Sequence, residues 1–566
     1  MPRPQGDAPQ EPAALAMAFS ELLERAGGMG LFQALQVFTI LLISSFIPPQ
    51  LLMDIFLAAT PGHRCWVRML DNGSEVPTNL TPEALLAVSI PLGPNREPDQ
   101  CRRFRQLQWQ LLEPNATATN WSEAATEPCV DGWVYDLSTF SSTIVAEWGL
   151  VCASQNLKPM GQGVMMAGFL LGFLAWGLLS YWFGRKPILS WCCLQVAVAN
   201  TSTIFAPNFF IYCGLRFLST FGLAGVLMTT TTLVVEWTTT RWVDLTVTIL
   251  GCTYGIGHMA LGGLAFVLRD WRALNLALST PFFAFFLISW WLPESVRWLI
   301  MKGKPDRALQ VLKKVARING HKEVKKTLTR EVLLSSMKEE LASGKTRYSM
   351  LDLFRVPSLR LRSSCMSIVS FCVMISYYGL VLDLQSLGSD IFLLQFLFGV
   401  MDFLSRSTCT FLLRFFSRRT LIASFLAMAG LFILGNVLVP QDFQTLRVIF
   451  AVLGKGCFAV TLTTVIVYKS ELFPTPLRMV ADGLLQSVGR LGGVTGPLIR
   501  ITRQVVPLLP SIIYSVIAIT GSLILLFLPD TRGLPLPDTI QDLENQRLAA
   551  ARGNRQEAVI TESTRF

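Results

Sequence analysis

Leu292-Pro293-Glu294-Ser295-Val296-Arg297-Trp298-Leu299 closes one apolar run and opens a basic segment, and Leu528-Pro529-Asp530-Thr531 closes another apolar run 236 residues later. Working outward, two more landmarks recur. Gly184-Arg185-Lys186 and Ser417-Arg418-Arg419 follow apolar runs at an offset of 233. Glu236 with Arg241, and Glu471 with Arg478, follow two more at an offset of 235. A bilayer core needs roughly 20 apolar residues per helix. Spans of that length fall at 31–53, 159–180, 187–206, 209–234, 244–267, 274–292, 364–386, 390–413, 420–439, 445–468, 479–501 and 509–528. The repeat divides them evenly. The predicted fold is an all-α membrane protein with twelve transmembrane helices in two pseudo-symmetric six-helix halves. The predicted regions are an N-terminus over 1–30, a first half over 31–292 with a loop over 54–158, a basic loop over 293–363, a second half over 364–528 and a tail over 529–566.

Composition supports a membrane setting. Of 566 residues, 51% are apolar and 15% charged, against about 25% charged in soluble domains. Mean hydropathy is +0.46. The net charge of +10 is local and does not point to nucleic acid. Between Arg297 and Arg362 there are 17 Lys/Arg against 6 Asp/Glu, and between Ile55 and Asn156 there are 6 against 11. Cationic loops stay cytoplasmic, so the basic loop and both termini are predicted inside, and the loop over 54–158 outside. That loop holds Cys65, Cys101, Cys129 and Cys152, which in an oxidising compartment read as two disulfides with three pairings open. No CxxC or HxxxH spacing favours a metal instead. The loop also holds N-x-[ST] sequons at Asn72, Asn79, Asn115 and Asn120, which read as glycosylation sites. Residues 1–16 are polar and Pro-rich, and Met17 has the look of a natural start.

The landmarks also carry a resemblance. Gly184-Arg185-Lys186 is similar to the end of the loop motif G-x-x-x-D-R-x-G-R-[RK] of the major facilitator superfamily. Pro293-Glu294-Ser295-Val296-Arg297-Trp298-Leu299 and Glu471-Leu472-Phe473-Pro474-Thr475 resemble the P-E-S-x-R-W-L and E-L-[FY]-P-T motifs of solute carrier family 22, the organic ion transporters. The chain resembles the family's organic anion transporters from about Met17 to its end. One departure stands out. In Gly177-Leu178-Leu179-Ser180-Tyr181-Trp182-Phe183-Gly184, Tyr181 and Trp182 stand where the motif has Asp and Arg. The resemblance implies that this Asp helps latch the two halves on the cytoplasmic side, a role that here falls to the remaining Glu/Arg pairs, drawn from Arg185, Glu236, Arg241, Glu294, Arg297, Arg418, Glu471 and Arg478.

Charges inside a membrane are costly and turn toward a protein interior. The intramembrane candidates are Arg216, His258, Asp402, Arg406, Lys455 and Arg490. Asp402 and Arg406 are spaced i,i+4 and can pair. Lys455 and Arg490 have no acidic partner within their own spans, although Lys455 could also neutralise Asp402. Positive charge in a low-dielectric cavity calls for an anion. Arg490, flanked by Gly489, Gly492 and Gly493, has room around it, and a guanidinium can grip a carboxylate or sulfate with two hydrogen bonds. Arg216, in Arg216-x5-Gly222-x2-Gly225, reads as a structural arginine. The resemblance implies that Arg490, Arg406 and Lys455 occupy the family's basic substrate positions, where cation carriers have Asp at the first. It further implies that Tyr377, Tyr378, Tyr254 and His258 face the cavity, with Phe458 one turn from Lys455. With 37 Phe in the chain, packing is the ordinary role of any single aromatic.

No phosphate loop, G-x-S-x-G or H-E-x-x-H is present, so the sequence predicts neither an enzyme nor a metal or cofactor site. The expected function is sodium-independent exchange of organic anions across the plasma membrane. The resemblance implies steroid sulfates such as estrone sulfate, urate and drug-like carboxylates, with a dicarboxylate or hydroxide as counter-anion. Rival readings are a zwitterion or cation carrier, a receptor and a channel. In the basic loop, Ala308-Leu309-x2-Leu312-x2-Val315 predicts a surface helix bracing the halves. The tail ends Ser563-Thr564-Arg565-Phe566, a pattern that fits a PDZ scaffold and admits an apical epithelial membrane.

Overall fold

The structure, a computed structural model, describes residues 23–531 apart from 25–27, 29, 73–79, 94–96, 113–124, 239, 322–327, 337–350, 383, 388–389, 441 and 474. Ten of its helices are long and apolar enough to cross a membrane. Two further long helices, Arg185–Thr203 and Thr475–Ile499, lie at the third and eleventh predicted spans. Both are diluted by polar residues, such as Asn200 in the former and Asp482 and Arg490 in the latter.

The first span departs from a simple helix. It runs as Leu31–Ser45, Ile47–Leu52 and Asp54–Leu57, interrupted at Phe46 and Met53. Pro48 and Pro49 lack the N–H that would continue the ladder and crowd the preceding turn. The span also ends four residues later than the sequence predicts, so Asp54 lies inside the bundle and not at the start of a loop. The seventh span begins at Pro357, ahead of its predicted start, because proline is pre-organised for the first helical turn.

Within the first half, the fourth span packs on the second and third, and the sixth on the third. Within the second half, the seventh packs on the eleventh, and the ninth on the tenth and twelfth. The two predicted halves meet most extensively where the fifth span packs on the eighth and the second on the eleventh. Small residues allow the first of these approaches. A Cβ on Gly399 would lie 2.6 Å from the backbone nitrogen of Met259.

The loop after the first span folds on two antiparallel ladders. His63–Cys65 pairs with Trp133–Tyr135, and Arg102–Phe104 with Thr126–Pro128. The disulfides are Cys65–Cys129 and Cys101–Cys152, which resolves the three pairings left open by spacing. Arg103 bridges Glu127 at 2.9 Å and Asp131 at 2.7 Å across the second ladder. His63 approaches Cys101 and Cys152, but both sulfurs are spent on the disulfide. At this loop end the first span closes on the seventh and eighth. The Thr60 N–H donates to Gln385 Oε1 at 2.8 Å, Gln385 Nε2 donates to the Thr60 carbonyl at 2.5 Å, and Phe56 stacks on Phe392 at 5.5 Å.

In the basic loop, helix Pro305–Ile318 buries Ala308, Leu312, Val315 and Ala316, the face its spacing predicts. Asn319 follows it and caps the first span. Its Oδ1 accepts from the Phe32 N–H at 3.0 Å and its Nδ2 donates to Gln33 Oε1 at 2.8 Å. Asn72 is exposed. Asn79, Asn115, Asn120, residues 1–16 and the tail's last four residues lie outside the described residues.

Candidate functional site

Asp402, on the eighth span, is 1% exposed and holds two cations. Lys455 Nζ, from the tenth span, lies 3.2 Å from one carboxylate oxygen, and Arg406 Nε lies 3.6 Å from the other. Lys455 thus finds its acidic partner on a neighbouring span, not its own. Its Nζ also donates to the Tyr377 hydroxyl at 2.9 Å and sits 4.4 Å over the Tyr377 ring. Arg406 Nη1 donates to Thr463 at 3.4 Å, and its Cζ lies 5.7 Å from the Tyr254 ring centre. One carboxylate against two guanidinium or ammonium groups leaves a positive excess. A buried ion pair repays its desolvation only when its remaining hydrogen-bonding groups are also met; Tyr377 and Thr463 supply part of that.

Arg490 is different. Its Nη1 donates to the Tyr378 hydroxyl at 3.3 Å, and its Nε is buried without an acceptor. Among the described residues it makes no ion pair with a carboxylate. Phe169 and Phe173 of the second span lie 4.7 and 4.8 Å from its Cζ. Tyr377 and Tyr378 meet edge to face at 5.1 Å, and Phe458 meets Tyr377 at 6.2 Å. A continuous chain of contacts therefore joins Arg490, Tyr378, Tyr377, Phe458, Lys455, Asp402, Arg406 and Tyr254. His258 stands beside this chain, its Nδ1 3.1 Å from Gln395 Nε2 and its side chain 2% exposed. The arrangement is an aromatic-walled site with surplus positive charge, and its chemistry suits an oxyanion.

A second buried cluster lies in the first half. Arg216 Nε is 3.3 Å from Asp54 Oδ1, and Arg216 also donates to Asn200 at 3.0 Å and the Gln50 carbonyl at 3.1 Å. Tyr212 donates to Asp54 at 2.9 Å. Oδ1 of Asp54 takes both the arginine and the tyrosine, which fits a structural arginine. The sequence reading passed over Asp54, Gln50, Asn200 and Tyr212. Three are polar residues in or beside apolar runs, a signal that was present. It also passed over the Lys469–Asp482 ion pair between the tenth and eleventh spans.

At the end opposite the loop, the repeat reappears as geometry. Arg185 pairs with Glu236 at 3.2 Å and donates to the Ser180 carbonyl at 2.9 Å. Arg418 pairs with Glu471 at 3.1 Å and donates to the Leu413 carbonyl at 3.3 Å. Lys186 reaches the Trp290 carbonyl at 2.7 Å, as Arg419 reaches that of Leu528 at 3.0 Å. Glu294 accepts from the N–H groups of Arg185 and Ser295 at 2.9 and 3.0 Å. Burial pushes the Glu294 carboxyl up, partly offset by these N–H groups. Gly184 adopts φ +106°, and a Cβ there would lie 2.4 Å from Glu294 Oε2. Tyr181, in place of the motif's Asp, receives Lys302 at 3.9 Å over its ring and the Trp298 indole N–H at 3.0 Å on its carbonyl. Arg297 is half-buried on helix Val296–Met301. The side chains of Arg241 and Arg478 lie outside the described residues.

Long apolar helices around a charged, aromatic interior define a membrane transporter of the major facilitator class. The sugar (and other) transporter family matches residues 118–542. Human solute carrier family 22 member 11 is 67% identical across 97% of this chain and 100% of its own length. Human member 12 is 49% identical and a human steroid transmembrane transporter 44% identical, with the same coverage. Among solved structures, the partially occluded inward-open xylose transporter XylE from E. coli matches with a TM-score of 0.56 at 15% identity, over 88% of this chain and 99% of its own. That likeness concerns the fold alone. The chain belongs to solute carrier family 22.

Proposed function

We propose that this transporter carries organic anions across the plasma membrane by sodium-independent exchange, alternating access between two six-helix halves. The twelve spans, the loop end facing outside and both termini facing the cytoplasm are part of that reading. One observation carries it: among the described residues Arg490 pairs with no carboxylate and its buried Nε has no acceptor, beside a cluster already in positive excess. An empty site of this kind resists closure, because unpaired charge is costly in low dielectric. A bound anion neutralises it and permits the turnover, and the return step favours a second anion. Steroid sulfates, urate and bulky carboxylates suit a basic pole among aromatic walls, and the steroid transporter among the relatives accords with the first of these. A dicarboxylate or hydroxide would serve as counter-anion.

The test is uptake of labelled estrone sulfate, urate and an organic cation in oocytes, with and without preloaded unlabelled anion. The expected result is anion uptake accelerated by preload, abolished in Arg490→Ala at normal surface level, and only partly restored in Arg490→Lys, which lacks the two-pronged fork. Cation uptake, or normal anion uptake by Arg490→Ala, would end the proposal.

A further inference from the structure

Arg490 sits in a corner made by two rings. Phe169 and Phe173 are 5.2 Å apart with planes at 86°. Their i,i+4 spacing puts both on one face of the second span. The guanidinium, from the eleventh span, lies at nearly equal distance from both rings. Its Nη1 is used by Tyr378, while Nε is buried and has no acceptor. With the ring planes at 86°, the flat guanidinium can lie face-on to only one ring while the other bounds one of its edges, and an oxyanion takes an edge that remains.

We propose that Phe169 and Phe173 are positioning residues for the anion site: they fix the plane of the Arg490 guanidinium so that its Nε–Nη2 edge is offered to a carboxylate or sulfate while the loop end is closed. This rests on Arg490 being the anion anchor. The rings and the guanidinium belong to different halves, and that makes the site depend on conformation. At the loop end the second and eleventh spans are in close contact, a Cβ on Gly163 lying 2.9 Å from Leu498 Cδ2. Opening that end parts the two spans and draws the rings from the guanidinium. An anion arriving from outside then meets a less constrained Arg490 than one arriving from the cytoplasm. The site is therefore the tighter of the two when it faces inward.

The experiment uses the full-length protein in oocytes with labelled estrone sulfate. Apparent affinity is measured from outside by uptake, and from inside by efflux of injected anion. Phe173→Leu, and Phe169→Leu with it, keep apolar bulk but lose the ring. The expected result is weakening of the inner affinity by about 3–10-fold, the scale of a lost cation–π contact, with the outer affinity unchanged. Phe173→Tyr, which keeps the ring, should restore the inner value. Equal changes on both sides, unchanged inner affinity, or a loss of surface protein alone would overturn the proposal. Arg490→Ala run alongside separates the two readings. If it transports normally, the anchor itself is wrong; if it is inactive while the Leu variants keep both affinities, only the role of the rings fails.

Discussion

Asp402 has more cations than it can neutralise, and this sets an order among substitutions. Removing Lys455 leaves Asp402 paired with Arg406, a neutral unit. Removing the carboxylate leaves two buried cations facing each other. Breaking a buried ion pair costs about 3–5 kcal/mol when one charge is stranded. Asp402→Asn should therefore destabilise by that amount, and Lys455→Met by clearly less. Thermal melting of the purified protein in detergent checks this. Equal shifts, or the reverse order, would mean that Lys455 and Arg406 do not share the carboxylate. At this scale the sequence was informative about residue type and, for Asp402, about possible partners, since Arg406 at i,i+4 and Lys455 were both named and both hold it. Arg490, Arg406 and Lys455 are conspicuous because charge is rare in apolar spans. Lys455's partner is 53 positions away in sequence; Asp402 was one option for it, and packing is what selects that option over an unpaired cation. Phe169 and Phe173 carried no signal at all, since a phenylalanine in a span reads the same facing lipid, core or ligand.

The joint between the second and third spans is set by one glycine. Gly184 has a backbone conformation that only glycine adopts easily, costing other residues about 1–3 kcal/mol. Its missing Cβ also leaves room for the Glu294 carboxylate that caps the third span. Gly184→Ala should lower both melting temperature and surface protein. Combining it with Glu294→Ala should not restore them, because the backbone strain persists and the cap is lost. Wild-type melting and surface level in Gly184→Ala would show that this joint tolerates a side chain. Elements were mostly legible in the sequence: apolar length located the spans, and the amphipathic spacing located helix Pro305–Ile318. The break in the first span was not anticipated, although Pro48 and Pro49 stood in plain view. A continuous apolar run hides an interruption that depends on what packs against it, here Gly257 placed against the Ser45 carbonyl. Asp54 interrupts the same run, which is apolar again from Ile55 to Ala59, and the last helical turn continues through it to Leu57.

For the whole molecule, the repeat seen in sequence has a physical counterpart in the matched Arg185–Glu236 and Arg418–Glu471 pairs. The tail acts, in our reading, on a different level from transport. A PDZ domain would take Phe566 in an apolar pocket and Thr564 by its hydroxyl. Deleting Thr564-Arg565-Phe566 should lower maximal uptake through reduced surface protein in polarised cells that express the scaffold, with apparent affinity unchanged. A changed affinity, or an unchanged surface level, counts against it.

The two disulfides are interleaved: the first cysteine bonds the third and the second bonds the fourth. As the chain leaves the ribosome, Cys101 meets Cys65 before Cys129 exists. At about 5–20 residues per second, the non-native partner has a head start of seconds. The last bond needs Cys152, at the threshold of the second span, so the loop cannot be completed until that span is being delivered to the membrane. Biosynthesis of this transporter thus depends on thiol exchange in the secretory pathway, and its yield in a cell should track isomerase capacity as well as the strength of its promoter.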